Sequence, residues 1–411
     1  MSADSVTAAD PNEAFVLELV QSLHRHGLPA YRLEDALTRV GKRLGLELAL
    51  FSVPTGLTLG LGPLGEQRVR LLRVQPGSIH LGRIHELAEL IEAVVDGSLG
   101  VAGARARLAE IEREPSLHGP LTRVVAFALA SAASAVFFGA PLAAVGASLA
   151  CGALVGLLAL GAENHARLAR LYEVLAAACA AFVAGLAAAE GGFERDGVTL
   201  AAIIVLLPGY TLTVALNELA ARHYSSGTAR LGGVLATMFL LACGAAIGTA
   251  GADSVLALFG VEVGEVRELP PLSGFLPWLA LLLAPLAFKV LFKARHGDTL
   301  WIVAAAWVAA LGARAGATWL GPLLGAGCGA FVLGLASNAL ARVRLRPGLI
   351  TAVPGLLVLV PGSLGFRGVS SFVSADASAG LELVTRMLTV AMALVCGLLL
   401  AGVVLPSQRT L

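Results

Sequence analysis

The segments VLLPG at 205–209 and VLVPG at 358–362 place the same proline–glycine break inside two long apolar stretches. Proline removes a backbone donor and clashes with the carbonyl four residues earlier, and glycine lets the chain unwind. Unpaired backbone groups cost several kcal/mol each in lipid, so such breaks persist only where protein or a water-filled cavity receives them. The paired breaks therefore predict two interrupted membrane helices that face a common internal site.

The two breaks belong to a series of ten apolar stretches along the chain, and a membrane span needs about 20 apolar residues. The broken stretches are the fourth and the ninth. Because five is an odd number, a second set of five spans runs through the membrane in the opposite direction, which is a plan found in secondary transporters. We expect an all-α integral membrane protein with ten transmembrane helices as a 5+5 inverted repeat, over 121–250 and 274–405. The stretches are 121–138, 141–160, 170–189, 198–216, 229–250, 274–292, 299–313, 318–340, 349–365 and 382–405.

Composition supports a membrane protein with a small polar domain before it. Only 14% of the 411 residues are charged, against about 25% in soluble proteins. The mean hydropathy is +0.82. Residues 1–120 hold 27 of the 57 charged residues. The net charge of +1 and the lack of a basic block exclude a nucleic-acid partner, and no signal peptide is predicted.

The polar segment predicts a small α+β domain over 12–115, preceded by a disordered N-terminus at 1–11. Amphipathic helices are expected at 12–26 and 31–44, then two strand-like runs, then two more helices, which is an ααββαα order. The strand-like runs are 46–61 and 68–81. Prolines at 115 and 120 mark the linker to the membrane domain.

No cofactor, metal site or catalytic centre is predicted. The glycine pattern at 60–65 lacks the following helix that a dinucleotide site requires, so we interpret it as a hairpin loop. The histidine pairs 24/26 and 80/85 lack ligands at metal-site spacing and are interpreted as solvated. There is no phosphate-binding loop and no nucleophile with a base, so the chain is not expected to be an enzyme. The cysteines are interpreted as small core residues: Cys151, Cys179, Cys243, Cys328 and Cys396.

Loop charges predict the orientation, because Lys and Arg concentrate on the cytoplasmic side. A cytoplasmic N-terminus puts eleven Lys and Arg residues in inner loops and the tail, and four arginines in outer loops with Arg386 at a boundary. Both termini and the α+β domain are therefore expected in the cytoplasm. The outer arginines are Arg195, Arg267, Arg314 and Arg367.

The breaks and the polar residues around them are the candidate substrate site. A second break is expected at Pro354-Gly355, next to the one at Pro361-Gly362. The alternative is that these prolines only kink helices for packing. The candidate residues in and beside the breaks are Pro208, Gly209, Tyr210, Thr211, Thr213, Pro354, Gly355, Pro361, Gly362 and Ser363.

Three polar residues farther from the breaks complete the candidate set. Asn217 and Glu218 lie two turns past the first break, where a carboxylate could couple to protons or bind a substrate ammonium. Equally, Glu218 could be an interfacial carboxylate paired with Arg222. Asn338, at the end of the eighth span, could bind ligand or bridge helices. The glycines at 321, 325 and 329 are expected to allow close helix contact.

Several of these segments resemble the bacterial threonine/serine exporter family, in the fused form that carries both five-span halves in one chain. The matching segments are 31–45 (YRLEDALTRVGKRLG), 53–59 (VPTGLTL), 206–231 (LLPGYTLTVALNELAARHYSSGTARL) and 351–366 (TAVPGLLVLVPGSLGF). The resemblance implies export of small hydrophilic metabolites driven by the proton-motive force. Threonine and serine are the namesake substrates, and split members are associated with dicarboxylate (succinate) export.

Residues and resemblance together predict a proton-coupled secondary exporter in the bacterial cytoplasmic (inner) membrane. The expected partners are an amino acid or dicarboxylate substrate, protons and the lipid bilayer. The sequence is also compatible with a homo-oligomer. A dicarboxylate exporter is the alternative. A passive channel and a membrane-anchored sensor are further alternatives, although ten spans with paired breaks exceed what an anchor needs.

Overall fold

The computed structural model describes residues 10–75, 77–115, 117–261, 272, 274–344 and 346–406. It contains an N-terminal α+β domain that packs on one end of a large helical bundle. Most of the predicted disordered segment 1–11 lies outside the described residues. Its end is ordered, because the Asp10 carboxylate accepts a hydrogen bond from the Asn12 N–H and helix α1 begins at Pro11.

The α+β domain has three strands, so the predicted ααββαα order is wrong by one strand. The run 46–61, predicted as one strand, turns at Pro54 and Thr55 into an antiparallel hairpin. Proline cannot donate to a strand ladder, which favours a turn there. The elements are α1 (Pro11–Arg25), α2 (Ala30–Leu44), β1 (Leu48–Val53), β2 (Gly56–Leu61), β3 (Arg68–Arg73), α3 (Leu81–Asp96) and α4 (Val101–Arg113).

The glycine pattern at 60–65 connects β2 to β3, and these strands pair antiparallel. The hairpin interpretation is therefore confirmed. Leu57, Leu59 and Leu61 alternate along β2 and are fully buried against the helices. The core they join continues into the bundle, where it includes Ile302 and Val353. The α+β domain and the bundle thus share one hydrophobic core.

The bundle holds six helices that could cross a membrane by length and composition, among the residues described, and eight if each of two bent pairs is one span. The protein is therefore a multi-pass membrane protein. Its helices are α5 (Pro120–Phe137), α6 (Leu142–Asn164), α7 (Ala166–Gly191), α8 (Arg195–Ala202), α9 (Gly209–Ala220), α10 (Tyr224–Leu258), α11 (Leu276–Leu291), α12 (Thr299–Arg344), α13 (Leu349–Leu357), α14 (Gly362–Val373) and α15 (Ala377–Val404).

Helix α12 reverses direction at Gly321, whose φ of 79° and ψ of 166° are accessible to glycine and strained for other residues. The arms 299–320 and 322–344 then lie against each other. A Cβ on Gly325 would lie 2.6 Å from the Ala317 nitrogen, and one on Gly329 would lie 2.6 Å from the Ala309 oxygen. The predicted close helix contact is confirmed at Gly325 and Gly329, whereas Gly321 makes the turn.

Contacts in the first half of the bundle recur in the second. Helix α10 packs on α7 and α9, and α15 packs on the second arm of α12 and on α14. The two halves also contact each other, since α14 contacts α10 and α9 contacts α15. These reciprocal contacts hold the two broken pairs, α8 with α9 and α13 with α14, side by side.

Candidate functional site

The two proline–glycine breaks have nearly the same backbone geometry. Pro208 has φ −79° and ψ 39°, and Pro361 has φ −83° and ψ 34°. The chain bends by 52° at the first break and by 44° at the second. Each break is followed by a helix of twelve residues that begins at the glycine. The same sequence therefore produces the same local structure in both halves.

The breaks also meet in space. A Cβ added to Gly209 would lie 2.9 Å from Val360 Cγ1 and 3.1 Å from the Gly362 nitrogen. A Cβ on Gly362 would lie 3.2 Å from Leu207 Cβ. Side chains at either position would push the two breaks apart. A cavity of about 50 Å³ lies at this contact, lined by both glycines, Tyr210 and Ser363 among others.

Because α9 and α14 both begin here, their N-terminal ends converge on one point. The first N–H groups of a helix have no partner within it, and the helix dipole makes this end positive. Such ends bind carboxylates and phosphates. The arrangement can therefore hold an anionic group without any charged side chain.

The polar side chains next to the breaks have different surroundings. The Thr213 hydroxyl donates to the Gly209 carbonyl at 3.2 Å and is buried, so it is engaged within its own helix. Tyr210 is half-buried and packs against the α+β domain core. Thr211 is half-buried on α9. Ser363 lines the small cavity and a larger one beside it.

The larger cavity has a volume of about 620 Å³ and extends from the breaks toward the ends of α5 and α11. Val360 and Ser363 lie at its inner end, and Phe138, Trp278 and Arg314 line its other parts. These ends face away from the α+β domain. Toward the α+β domain, Phe292 lines the small cavity at the breaks and packs against the domain core. In the described structure, the α+β domain therefore covers one side of the breaks, and the 620 Å³ cavity lies on the other side.

The predicted break at Pro354-Gly355 is wrong. Both residues lie within helix α13, and the chain breaks only after it. Gly355 fills a tight contact instead, since a Cβ there would lie 2.6 Å from Leu333 Cδ1 and 3.2 Å from the Ala305 oxygen. Packing against both arms of α12 holds the helix together around the proline.

Glu218 lies at the contact between the bundle and the α+β domain. Its carboxylate is inaccessible to solvent and accepts hydrogen bonds from the Ala30 N–H at 2.9 Å and from Arg230 Nε at 3.0 Å. The ion-pair partner of Glu218 is therefore Arg230 and not Arg222, the partner given as an alternative in the prediction. Ala30 begins α2, so Glu218 caps that helix from the bundle. Next to it, the Asn217 Oδ1 atom is buried without a hydrogen-bond partner among the described residues.

Asn338 lies away from the breaks. Its side-chain amide donates to the Leu405 carbonyl at 2.8 Å, which ties α12 to the end of α15. Of the two roles predicted for Asn338, the structure supports bridging between helices. The neighbouring Ser337 hydroxyl accepts a hydrogen bond from Thr351 at 2.9 Å.

A second buried ionic contact joins the domain to the bundle, and it was not among the predicted contacts. Asp298, 1% exposed, lies 3.3 Å from the His85 ring and pairs with Arg346. His85 belongs to α3, whereas Asp298 and Arg346 flank α12. The only signal in the sequence was an acidic residue directly before an apolar span.

The interpretation of the histidines as solvated is wrong, because His24, His26 and His85 are buried. His24 Nε2 lies 2.9 Å from the Pro54 carbonyl, and His26 Nε2 lies 2.9 Å from the Glu112 carboxylate. The His26 hydrogen bond is the largest factor that lowers the pKa of Glu112 to about 2. Within the described part of the chain, no group of three or more His, Cys, Asp or Glu residues could hold a metal ion.

Comparisons with known proteins identify the family. Two models of the threonine/serine exporter (ThrE) family match the chain, one over residues 14–251 and the other over 278–404. No solved structure matches it significantly.

The curated relatives include fungal proteins that are named as membrane proteins. Pheromone-regulated membrane protein 10 of Saccharomyces cerevisiae is 24% identical over 286 residues, which are 67% of this chain and 36% of that protein. The protein of the same name from Candida albicans SC5314 is 24% identical over 245 residues, which are 58% of this chain and 22% of that protein. The chain spans about a third or less of these relatives. Since the first family match alone covers more than half of the sequence and includes the break at 208–209, the chain belongs to the threonine/serine exporter family.

Proposed function

We propose that the protein is a secondary active exporter of small hydrophilic carboxylate metabolites of the threonine and serine type, coupled to protons. The observation that carries the proposal is the meeting of two helix N-termini at Gly209 and Gly362. Threonine, serine and succinate each offer a carboxylate for this point. The family match supports export as the direction of transport.

The proposed topology has ten spans in a 5+5 inverted repeat. The six long helices and two bent pairs account for eight spans. The short apolar helix α11 adds a ninth, and the reversal of α12 at Gly321 adds a tenth. The equal geometry of Pro208 and Pro361 and the reciprocal contacts between halves support the repeat.

In the proposed orientation the α+β domain and both termini are cytoplasmic and the membrane is the bacterial inner membrane. The excess of Lys and Arg supports this orientation, since Arg230, Lys293 and Arg346 lie at the end of the bundle that carries the α+β domain. The described structure then corresponds to a state closed toward the cytoplasm. The 620 Å³ cavity is the proposed route to the outside.

Transport requires the α+β side of the breaks to open. We propose that the substrate carboxylate binds at Gly209 and Gly362 when that side opens, and that rocking of the broken pairs then exposes it to the other side. In the described state the cavity of about 50 Å³ at the breaks has room for only one or two water molecules. The closed contact of the two glycines is therefore the proposed gate between the two access states.

The proposal is tested with purified protein in proteoliposomes under an imposed pH gradient, with labelled threonine, serine and succinate in turn. We expect uphill movement of at least one label that collapses when a protonophore is added. Preference for threonine and serine supports the amino-acid exporter, and preference for succinate supports the alternative. Downhill flux alone would establish a channel. No flux of any label would overturn the exporter and favour a sensor.

A further inference from the structure

A second large cavity lies between helices α8, α10 and α14 and the start of α15. Its volume is about 630 Å³, within the roughly 300–1,000 Å³ range of small-molecule sites. We call it the outer cavity. Its charged lining residues are Glu194, Arg195, Asp196, Asp253, Arg367 and Asp376. None of its lining residues belongs to the 620 Å³ cavity.

The outer cavity lies at the end of the bundle that faces away from the α+β domain. Arg230, which contacts Glu218 at the domain interface, and Asp253 lie on the same helix α10. At a rise of about 1.5 Å per residue, the 23 residues between them span about 35 Å, close to the thickness of the hydrocarbon core. The outer cavity therefore lies at the opposite membrane face.

Some charges in the outer cavity are already engaged. Arg195 donates to Asp253 at 2.5 Å, which neutralises both. Asp376 accepts hydrogen bonds from the Ser378 hydroxyl and the Ala379 N–H, so it caps α15. These groups form the walls of the cavity and leave its other charged groups to a ligand.

The remaining charges have both signs. Among the described residues, Arg367 has no carboxylate within 4.0 Å, and its guanidinium lies over the Phe138 ring at 5.9 Å. Glu194 and Asp196 likewise have no cation within 4.0 Å in the described part of the chain. Ser370 adds a buried hydroxyl without a hydrogen-bond partner among the residues described. A cationic donor, two carboxylates and a hydroxyl are the complement of a zwitterion.

We propose that the outer cavity binds a zwitterionic amino acid, with its carboxylate at Arg367 and its ammonium at Glu194 and Asp196. The six charged lining residues have a formal charge of −2, which disfavours a dianion such as succinate. A metal ion is a poorer occupant, because the described residues include no cluster of three potential ligands. The inference rests on the proposed function for the choice of an amino acid as ligand.

The test measures protection of Ser374, an exposed residue that lines the outer cavity. The full-length Ser374→Cys variant in lipid nanodiscs is labelled with a membrane-impermeant thiol reagent, and the native chain with its five cysteines serves as the blank. We expect saturating L-threonine to slow labelling at least fivefold and succinate to leave it unchanged. Equal rates with and without threonine, or equal protection by both, would overturn the proposal.

Arg367→Gln in the Ser374→Cys background should abolish protection by threonine. Arg386→Gln is the matched control, because Arg386 pairs with Glu382 on the surface of α15, and it should keep the protection. A variant counts as folded when its labelling rate without ligand is unchanged. If Arg367→Gln does not fold, the double variant Glu194→Gln with Asp196→Asn is used as the second variant. Protection that survives both variants would also overturn the proposal.

The labelling result is independent of the transport result. Threonine pumping by the native chain, without protection of the Ser374→Cys variant by threonine, would overturn the outer site and leave the exporter intact. Protection without any flux in proteoliposomes would overturn the exporter and leave the site.

Discussion

Glu218 is the residue on which the contact between the two parts of the molecule depends most directly. Its carboxylate is fully buried, pairs with Arg230 and caps the first turn of α2 through the Ala30 N–H. A buried charge that loses its partner is strongly destabilising. Since both carboxylate oxygens are engaged, the geometry favours a structural role at the interface over a role as partner of a substrate ammonium.

We therefore expect Glu218→Gln to lower the stability of the full chain by about 3 kcal/mol and to reduce threonine and succinate export equally. The amide still accepts from the Ala30 N–H but leaves the Arg230 charge uncompensated. Thermal unfolding in detergent and the two fluxes are the measurements. Adding Arg230→Gln to Glu218→Gln should lower the free energy of unfolding only slightly further. Loss of threonine export alone, at unchanged stability, would instead identify Glu218 as a substrate ligand.

His80 makes the stability of the α+β domain dependent on pH. Burial is the largest factor that lowers the pKa of His80 to about 3, and Arg83 adds to it. The unfolded chain, with a pKa near 6.5, binds a proton more readily than the folded chain. Stability is therefore complete above pH 6.5 and falls as the pH drops toward 3.

We expect His80→Asn to weaken this dependence. His80 Nδ1 accepts from the Arg83 N–H at 3.1 Å at the start of α3, and the Asn side-chain oxygen can accept the same bond. Between pH 7 and pH 5 the variant should lose less stability than the native chain, by at most about 2 kcal/mol. The exposed His165→Asn is the control. If the melting temperature changed with pH by the same slope in the native chain and in His80→Asn, the assignment of the pH dependence to His80 would be contradicted.

At the scale of elements, the decisive contact is between the two helix breaks. Their local geometry follows from the repeated Pro-Gly sequence, and their contact depends on glycine at both positions. The Pro-Gly pair at 354–355 does not break its helix, so the dipeptide alone does not decide where a helix breaks. There the glycine is packed against Leu333, which holds α13 in place.

Gly209→Ala tests the contact of the breaks. The added methyl group would meet Val360 and the Gly362 backbone, so the breaks must separate, and we expect uphill transport to fall about tenfold or more. Gly146→Ala in α6 is the matched control, because nothing lies within 4 Å of its Cβ position. Flux through both variants in proteoliposomes is compared with their thermal stability. Equal transport by the two variants would remove the breaks from the mechanism.

At the scale of the molecule, the α+β domain packs on the ends of the broken helices and is not a separate unit joined only by a linker. Its core is continuous with Ile302 and Val353 of the bundle, and surface pairs such as Glu34 with His223 join the same interface. Any opening on this side must separate part of the interface. Under the proposed function, the domain would therefore control access to the breaks.

Cross-linking across the interface tests this control. Cysteines at 34 and 223 replace an ion pair whose Oε1 and Nδ1 atoms are 3.3 Å apart, so a short reversible bifunctional thiol reagent can bridge them. We expect the bridged double variant to stop transporting and to recover after reduction, whereas each single cysteine variant keeps its activity under the same reagent. Full activity of the bridged protein would show that the domain stays in place during transport.

Features that depend on local chemistry could be predicted from the amino-acid sequence alone. Apolar length marks membrane helices, and a Pro-Gly pair marks a candidate break in them, because both signals come from residues that are adjacent in the chain. The membrane class, the α+β segment and the breaks at 208–209 and 361–362 were predictable for that reason. The third strand was missed although its signal, Pro54 within an apolar run, is also local.

The pairing of residues that are distant in the chain could not be predicted in this way, because it depends on how the folded elements pack. Ala30 and Glu218 are 188 positions apart, and no local pattern pairs Glu218 with Arg230 in place of Arg222. His26 is buried and meets Glu112 from another helix. The two breaks likewise meet through the packing of whole helices. Burial and pairing are properties of the assembled core, since each depends on the surface that another segment supplies.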